Sequence, residues 1–153
     1  MTMLSSLELI RRVPLFSMLT DAQAVSVADA VVKRRFKRGE VIVEQGKKTN
    51  ALFILLNGRA RVVTADSRGR EVILATLRPG DHIGEMSLID NEPHSATVRA
   101  EVQTDVLMLG RTEFARCLPE NSSMAYAVMR GLVQRLRQAD RKIESLALMD
   151  VYG

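Results

Sequence analysis

The sequence predicts a mainly β protein: a double-stranded β-helix, or jelly-roll barrel, with flanking helices and one long C-terminal helix. Three observations predict it. Between Arg35 and Leu109, short apolar, β-branched stretches alternate with glycine-containing breaks. Ahead of that span, Ser17 to Val32 carries a helical pattern. Beyond it, apolar residues recur at spacings of three and four.

The first helix has its own start signal. Thr20 can cap it, Asp21 falls in the first turn, and Ala22, Val25, Ala28, Ala30 and Val31 supply apolar positions. The basic cluster Lys33-Arg34-Arg35-Phe36-Lys37-Arg38 follows and reads as a solvated strand edge and turn, where charge discourages edge-to-edge association. The strand-like stretches are Val41 to Val43, Ala51 to Leu56, Ala60 to Thr64, Glu71 to Leu77, Ala96 to Ala100 and Val106 to Leu109. Between them lie Arg38-Gly39-Glu40, Asn57-Gly58, Ser67-Arg68-Gly69 and Pro79-Gly80-Asp81. Asn57-Gly58 and Arg68-Gly69 are hairpin signals. Several strands at this spacing suggest a small antiparallel barrel or jelly roll.

After Leu109 the period changes. Ala125, Val128, Leu132, Leu136, Ala139, Ile143 and Leu146 recur with a mean spacing of about 3.5, the coiled-coil period. Asn121 or Ser122 can cap this helix. Arg130, Gln134, Arg135, Arg137, Asp140, Arg141, Lys142 and Glu144 occupy its other faces. An apolar seam of this length must be buried, either on the protein's own barrel or against a second copy across a two-fold axis. The expected organisation is a barrel with N-terminal helices over 1–120, a dimerisation helix over 121–147 and the start of a hinge over 148–153.

Composition narrows the functional classes. The 153 residues are 46% hydrophobic and 26% charged, ordinary for a soluble domain with one core. No run approaches the roughly 18 apolar residues that a membrane span needs. Met1 to Val13 includes Glu8, Arg11 and Arg12 and is not a secretory signal, so a cytoplasmic location without membrane contact is expected. Cys117 stands alone, which excludes an internal disulfide. The net charge of +4 suits anionic partners such as nucleotides or DNA.

Pro79 to Ala100 is the segment that carries chemistry. Gly84 lets the backbone approach a ligand closely. Glu85 follows at once and can accept hydrogen bonds from sugar hydroxyls. Ser95 and Ala96 can present backbone N–H groups as an anion-binding concavity of the kind phosphates occupy. A ribose beside Glu85 and a phosphate beside Ser95-Ala96 would make a nucleotide pocket. The same residues also read as a tight loop with a capping carboxylate.

Almost the whole chain resembles the cyclic-nucleotide-binding superfamily. The resemblance runs through Arg35-Phe36-Lys37-Arg38-Gly39-Glu40-Val41-Ile42, Gly46, Leu52-Phe53-Ile54-Leu55, Gly58 and Leu77-Arg78-Pro79-Gly80-Asp81. It continues through Gly84-Glu85-Met86-Ser87-Leu88 and closes at Ser95-Ala96-Thr97-Val98-Arg99-Ala100. The C-terminal part resembles transcription regulators of the catabolite-activator and fumarate-nitrate-regulator family. In that family the long helix is the dimer interface, and Leu148-Met149-Asp150-Val151 looks like the hinge into a winged helix-turn-helix.

The resemblance implies roles. Gly84 and Glu85 match positions that meet the ribose, with Met86 and Ser87 in the same ligand-binding segment. Ser95 matches a phosphate-contacting serine, supported by the backbone at Ala96. Arg135 matches an arginine linking pocket to helix. Two departures stand out. The family arginine that pairs with the cyclic phosphate falls at His94, and the helix positions that read adenine fall at Ala139 and Asp140. Histidine lacks the bidentate fork of arginine and is mostly neutral near pH 7. The implied ligand is therefore cyclic AMP bound with reduced affinity, or another nucleotide such as cyclic GMP or cyclic di-GMP, or none if the pocket is vestigial.

One cysteine cannot hold an iron–sulfur cluster of the oxygen-regulator branch, which needs about four. No metal site and no nucleophile–base triad stands out, and the chain does not read as an enzyme. The expected protein is the ligand-sensing, homodimerising part of a transcription regulator, reaching DNA only through a domain that this sequence lacks. The rival readings are a regulatory domain controlling another effector, such as a kinase or channel, and a structural dimer.

Overall fold

The computed structural model describes residues 5–13, 16, 19–88, 92–117, 132–133, 136–137 and 139, without the side chains of Glu85 and Met86. Two short helices open the chain, α1 (Ser6–Arg11) and α2 (Asp21–Ala30). α2 starts as its sequence dictates. Thr20 Oγ1 accepts from the Gln23 N–H, and Gln23 Oε1 accepts from the Thr20 N–H, a reciprocal capping box. The helix ends earlier than its apolar pattern predicts, because Val32 already begins a strand.

Eight strands follow: β1 (Val32–Phe36), β2 (Val41–Val43), β3 (Ala51–Asn57), β4 (Ala60–Ala65), β5 (Glu71–Leu77), β6 (His82–Ile83), β7 (Thr97–Ala100) and β8 (Thr104–Gly110). A 3-10 turn (Glu85–Leu88) sits between β6 and β7, and α3 (Arg111–Arg116) follows β8. The strands form two antiparallel four-stranded sheets, ordered β1-β8-β3-β6 and β2-β7-β4-β5. The chain passes from sheet to sheet at nearly every connection, which is jelly-roll topology. β1 lies at an edge, with Lys33, Arg34 and Arg35 exposed, as its charge predicts.

The two glycine signals part company. Arg68-Gly69 closes the β4–β5 hairpin, with Ala65 paired to Glu71. Asn57-Gly58 joins strands in different sheets, so it is a corner and not the predicted hairpin. Gly58 has φ +91°, and a Cβ there would lie 2.4 Å from Thr104 Oγ1 and 2.6 Å from Gln103 O. The backbone needs a residue without a side chain at this crossing, whichever strand comes next.

β3 buries almost all of its length. Leu52 and Ile54 face a helical layer containing Leu9, Ile10, Phe16, Val27 and Phe114. Ala51, Phe53 and Leu55 face the space between the sheets, with Phe36, Val43, Ala60, Val98 and Val106. Period-two alternation thus divides one apolar run between two cores. Val133, from the C-terminal segment, joins the helical layer.

A polar knot secures the corner. Asp105 accepts from Arg35 Nε at 2.8 Å and from Asn57 Nδ2 at 2.9 Å, and its own N–H donates to Asn57 Oδ1 at 3.2 Å. The hydrogen bond from Arg35, then that from Asn57, hold the Asp105 carboxyl down at about 2, against an ordinary 3.8. A carboxylate depressed in this way stabilises the fold above the ordinary value, and that contribution disappears as pH falls toward 2. Asp105→Ala should lower unfolding free energy by about 2 kcal/mol at neutral pH, the scale of charged hydrogen bonds. Denaturant midpoints of both proteins check this. The gap should narrow below pH 3.8; a gap indifferent to pH would refute the assignment.

Candidate functional site

A cavity of about 220 Å³ opens at one end of the space between the sheets. Its apolar wall is Val43 from β2, Val62 from β4, Ile83 from β6 and Val98 from β7. These valines follow from strand alternation, since the neighbouring Arg61 and Arg99 face outward and are exposed. The polar wall comes from four places: His82 on β6, Gly84 and Ser87 at the 3-10 turn, His94-Ser95-Ala96 ahead of β7, and Arg137. A second hollow, of about 400 Å³, adjoins it and shares His94, Ser95 and Arg137.

The predicted site residues divide into three groups. Gly84, Ser87, His94, Ser95 and Ala96 come together around the cavity. Glu85 belongs to the 3-10 turn beside Gly84, and Met86 follows it; their side chains lie outside the described part. Arg135 and Asp140 also lie outside the described residues, as do Ala125, Val128, Ile143, Leu146 and the hinge at 148–153. Ala139 is described and exposed, and it is not among the cavity residues.

Gly84 serves the fold as well as the cavity. Its φ is +81°, and a Cβ would stand 2.5 Å from the Ala51 carbonyl oxygen at the start of β3. The close approach that glycine permits here is to the protein's own backbone. On the other side of the cavity, the His94 N–H donates to Lys47 O at 2.9 Å, and the Gly46 N–H donates to His94 O at 2.9 Å. This pairing fixes the loop ahead of β7. Among the described residues, the N–H groups of Ser95 and Ala96 donate to no protein oxygen. Two adjacent free donors at a cavity wall suit an anion.

Arg137 is the residue that the sequence reading misplaced. Its position among polar faces of the helix suggests a solvated side chain, yet it is only 6% exposed. Its guanidinium reaches Pro93 O and Ser87 Oγ, each at 3.4 Å. Val133, one turn earlier, is also buried, whereas Leu132 and Leu136 remain 54% and 56% exposed. The helix therefore turns the 133–137 stripe toward the barrel and the 132–136–139 stripe away from it. Only the spacing of four between Val133 and Arg137 could have hinted at this in the sequence.

His94 is 8% exposed, and its Nε2 is buried without a hydrogen-bond partner among the described residues. Burial, then the nearby Arg137 charge, push its pKa below the ordinary 6.5. Among the described cavity residues, Arg137 thus supplies a cation beside a His94 imidazole whose neutral form is favoured. Among the described residues, no group of three or more His, Cys, Asp and Glu is placed to hold a metal, and no helix is long and apolar enough to cross a membrane.

The profile of the cyclic nucleotide-binding domain family matches residues 33–121, more than half of the chain. The chain belongs to that family. It is 31% identical over 125 residues to the cAMP-activated global transcriptional regulator Vfr of Pseudomonas aeruginosa, covering 79% of this chain and 58% of Vfr. It is 36% identical over 149 residues to a cGMP-dependent protein kinase of Toxoplasma gondii, covering 92% of this chain and 14% of the kinase. This chain thus spans less than two thirds of Vfr and about one seventh of the kinase. Among solved structures, the N-terminal domain of a transcriptional regulator from Streptomyces coelicolor superposes with a TM-score of 0.67 at 28% identity, covering 88% of this chain and 94% of that one. The cyclic nucleotide-binding domain is a ligand-binding module, and its relatives include both transcription regulators and kinase regulatory chains.

The His94 environment has a signed consequence. A base whose folded-state pKa is lowered contributes fully above its ordinary value, and stability falls as pH drops through 6.5. His94→Gln should remove that component. Melting temperatures of the two proteins should draw together, or cross, as pH falls below 6.5. Parallel curves would show that His94 does not titrate in this way.

Proposed function

We propose that this chain is the sensory module of a transcription regulator, binding a cyclic nucleotide in the barrel cavity and passing the signal to its C-terminal helix. Cyclic AMP is the first candidate, by likeness to the cAMP-activated regulator Vfr. The observation that carries the reading is Arg137. A guanidinium from the helical segment lines the same cavity as Ser95 and Ala96, whose N–H groups donate to no protein oxygen among the described residues. A cyclic phosphate between them would meet donors from the barrel and a cation from the helix, with the ribose toward Glu85. The bidentate fork that His94 cannot supply would then come from Arg137.

Such a ligand couples to the helix because the helix contributes one of its contacts. Binding shifts the helix only if the nucleotide prefers one arrangement over another. A phosphate ion-paired to Arg137 provides that preference.

Calorimetry tests the pocket. Wild type should bind cyclic AMP, or cyclic GMP or cyclic di-GMP if the base differs. Arg137→Gln should weaken that binding by about 1.5–3 kcal/mol, roughly 10- to 150-fold. Arg137→Lys should recover only part of the loss, since it restores charge without the planar fork. Undiminished affinity in Arg137→Gln, with an unchanged melting temperature, would remove Arg137 from the site.

The exposed Leu132 and Leu136 support a second element of the proposal, parallel pairing of two chains through the outward stripe. Burying both leucines against a symmetry mate removes apolar surface that a lone chain leaves in water. Leu132→Glu would place like charges across the axis and should convert a dimer to monomers in sedimentation velocity. A wild-type chain that sediments as a monomer would favour the rival reading instead, a regulatory module of the kinase type, which the 92% coverage in the cGMP-dependent kinase match supports.

A further inference from the structure

Four arginines surround a cleft of about 370 Å³ on the outer face of the second sheet: Arg38, Arg59, Arg61 and Arg99. It lies behind the cavity already described. Val62 and Val98 face the cavity, and the adjacent Arg61 and Arg99 project from the other side of the same strands. We propose that this cleft is a separate binding site for a compact, phosphate-dense anion bearing a diphosphate group.

The charge arrangement is costly without a ligand. Arg61 and Arg99 are direct cross-strand partners on β4 and β7, a placement in which like charges repel. Glu101 is the one carboxylate among the cleft residues. It accepts from Arg59 Nε at 2.6 Å and from Arg61 Nε at 2.9 Å. Both bonds use Nε, so the terminal Nη groups of the two guanidiniums remain unbonded among the described residues. Arg38 and Arg99 make no ion pair among the described residues. Glu40, at the far end of the Arg38-Gly39 turn, has its carboxylate engaged by the Lys37 N–H at 2.8 Å. Of the four guanidiniums around the cleft, two pair with Glu101, and the other two are exposed without an ion pair among the described residues.

The residue types select the ligand chemistry. Guanidinium presents paired N–H donors that match phosphate oxygens in a fixed plane. The lining is otherwise Gly39, Ala100 and Glu101, so it offers no aromatic ring for a base and no apolar pocket for a peptide anchor. The cleft recognises charge density. Adjacent phosphates on one small molecule deliver several negative charges within this volume, and they relieve the Arg61–Arg99 repulsion by bridging it. Inorganic pyrophosphate and the diphosphate tail of a nucleotide share this chemistry.

Calorimetry at physiological ionic strength, on the full chain, tests the proposal with inorganic pyrophosphate, ADP and a DNA duplex as probes. Pyrophosphate or ADP should bind with one site per chain, and excess cyclic AMP should not displace it. Tighter binding of pyrophosphate would identify the free anion as the source, and tighter binding of ADP a nucleotide. Arg38→Gln and Arg99→Gln should each weaken binding about tenfold or more. Neither substitution removes a described ion pair, so both variants should melt no lower than wild type without ligand. Pyrophosphate should raise the melting temperature of wild type more than that of Arg99→Gln. The proposal would be overturned by no binding in wild type, by displacement with cyclic AMP, or by wild-type affinity in both variants. A DNA duplex binding more tightly than either small anion, through the same arginines, would overturn it in favour of a nucleic-acid surface.

Discussion

The central strands β3 and β8 have to be apolar on both faces, and the rest of the molecule is arranged around that requirement. Leu52, Ile54, Leu107 and Leu109 can be buried only if a helical layer covers the outside of their sheet. Ala51, Phe53, Leu55 and Val106 can be buried only if a second sheet closes the other side. Covering by α1, α2, α3 and Val133 satisfies the first need, and the jelly-roll crossing satisfies the second. With many central apolar side chains nearly inaccessible, each core contact contributes at roughly 25 cal/mol per Å² of apolar surface removed from water.

The cavity follows from the same arrangement. Core packing fills the middle of the space between the sheets. Toward the end occupied by β6 and the 3-10 turn, small or polar residues replace the large apolar ones: Gly84, Ser87, Ser95 and Ala96. Gly84 lets β6 run close against the Ala51 carbonyl, which brings the 3-10 turn to the cavity wall. The helical layer explains how a distant residue takes part. Val133 is drawn into that layer by its apolar side chain, and Arg137 lies one turn further along the same stripe, over the opening.

Strand-scale features were legible in the sequence because alternation and glycine breaks are local. Six strands lie close to where the pattern places them, and the basic run Lys33 to Arg35 sits on an exposed edge. α1, with six residues, is too short to show a period, and β6, with two, has no pattern. Asn57-Gly58 was misread for a physical reason. Such a dipeptide reports that the backbone needs positive φ, and that need is the same at a hairpin and at a corner between sheets. Of the site, the segments Gly84 to Ser87 and His94 to Ala96 were legible because their residues are adjacent along the chain. Arg137 was not, because a helix position facing a polar cavity and one facing water select the same residue type. Only the tertiary placement of Val133 separates the two.

The electrostatics of the cavity favour a particular order of events. Arg137 brings a guanidinium to the cavity wall. Burial and then the Arg137 charge lower the His94 pKa, which disfavours two adjacent cations in the cavity. His82, on β6, and Glu92, beside Pro93, are the other titratable groups lining the two hollows around His94. An anion placed between Arg137 and the Ser95-Ala96 donors reverses the local field. It offsets the guanidinium charge that His94 feels and makes the protonated imidazole more favourable. A histidine at this position is therefore not simply a weaker arginine. On the proposed reading it would add a cation only when an anion is present, while Arg137, on the helical segment, carries the fixed charge. If the nucleotide lies where proposed, the fixed charge on the helical segment would be its contact with that segment.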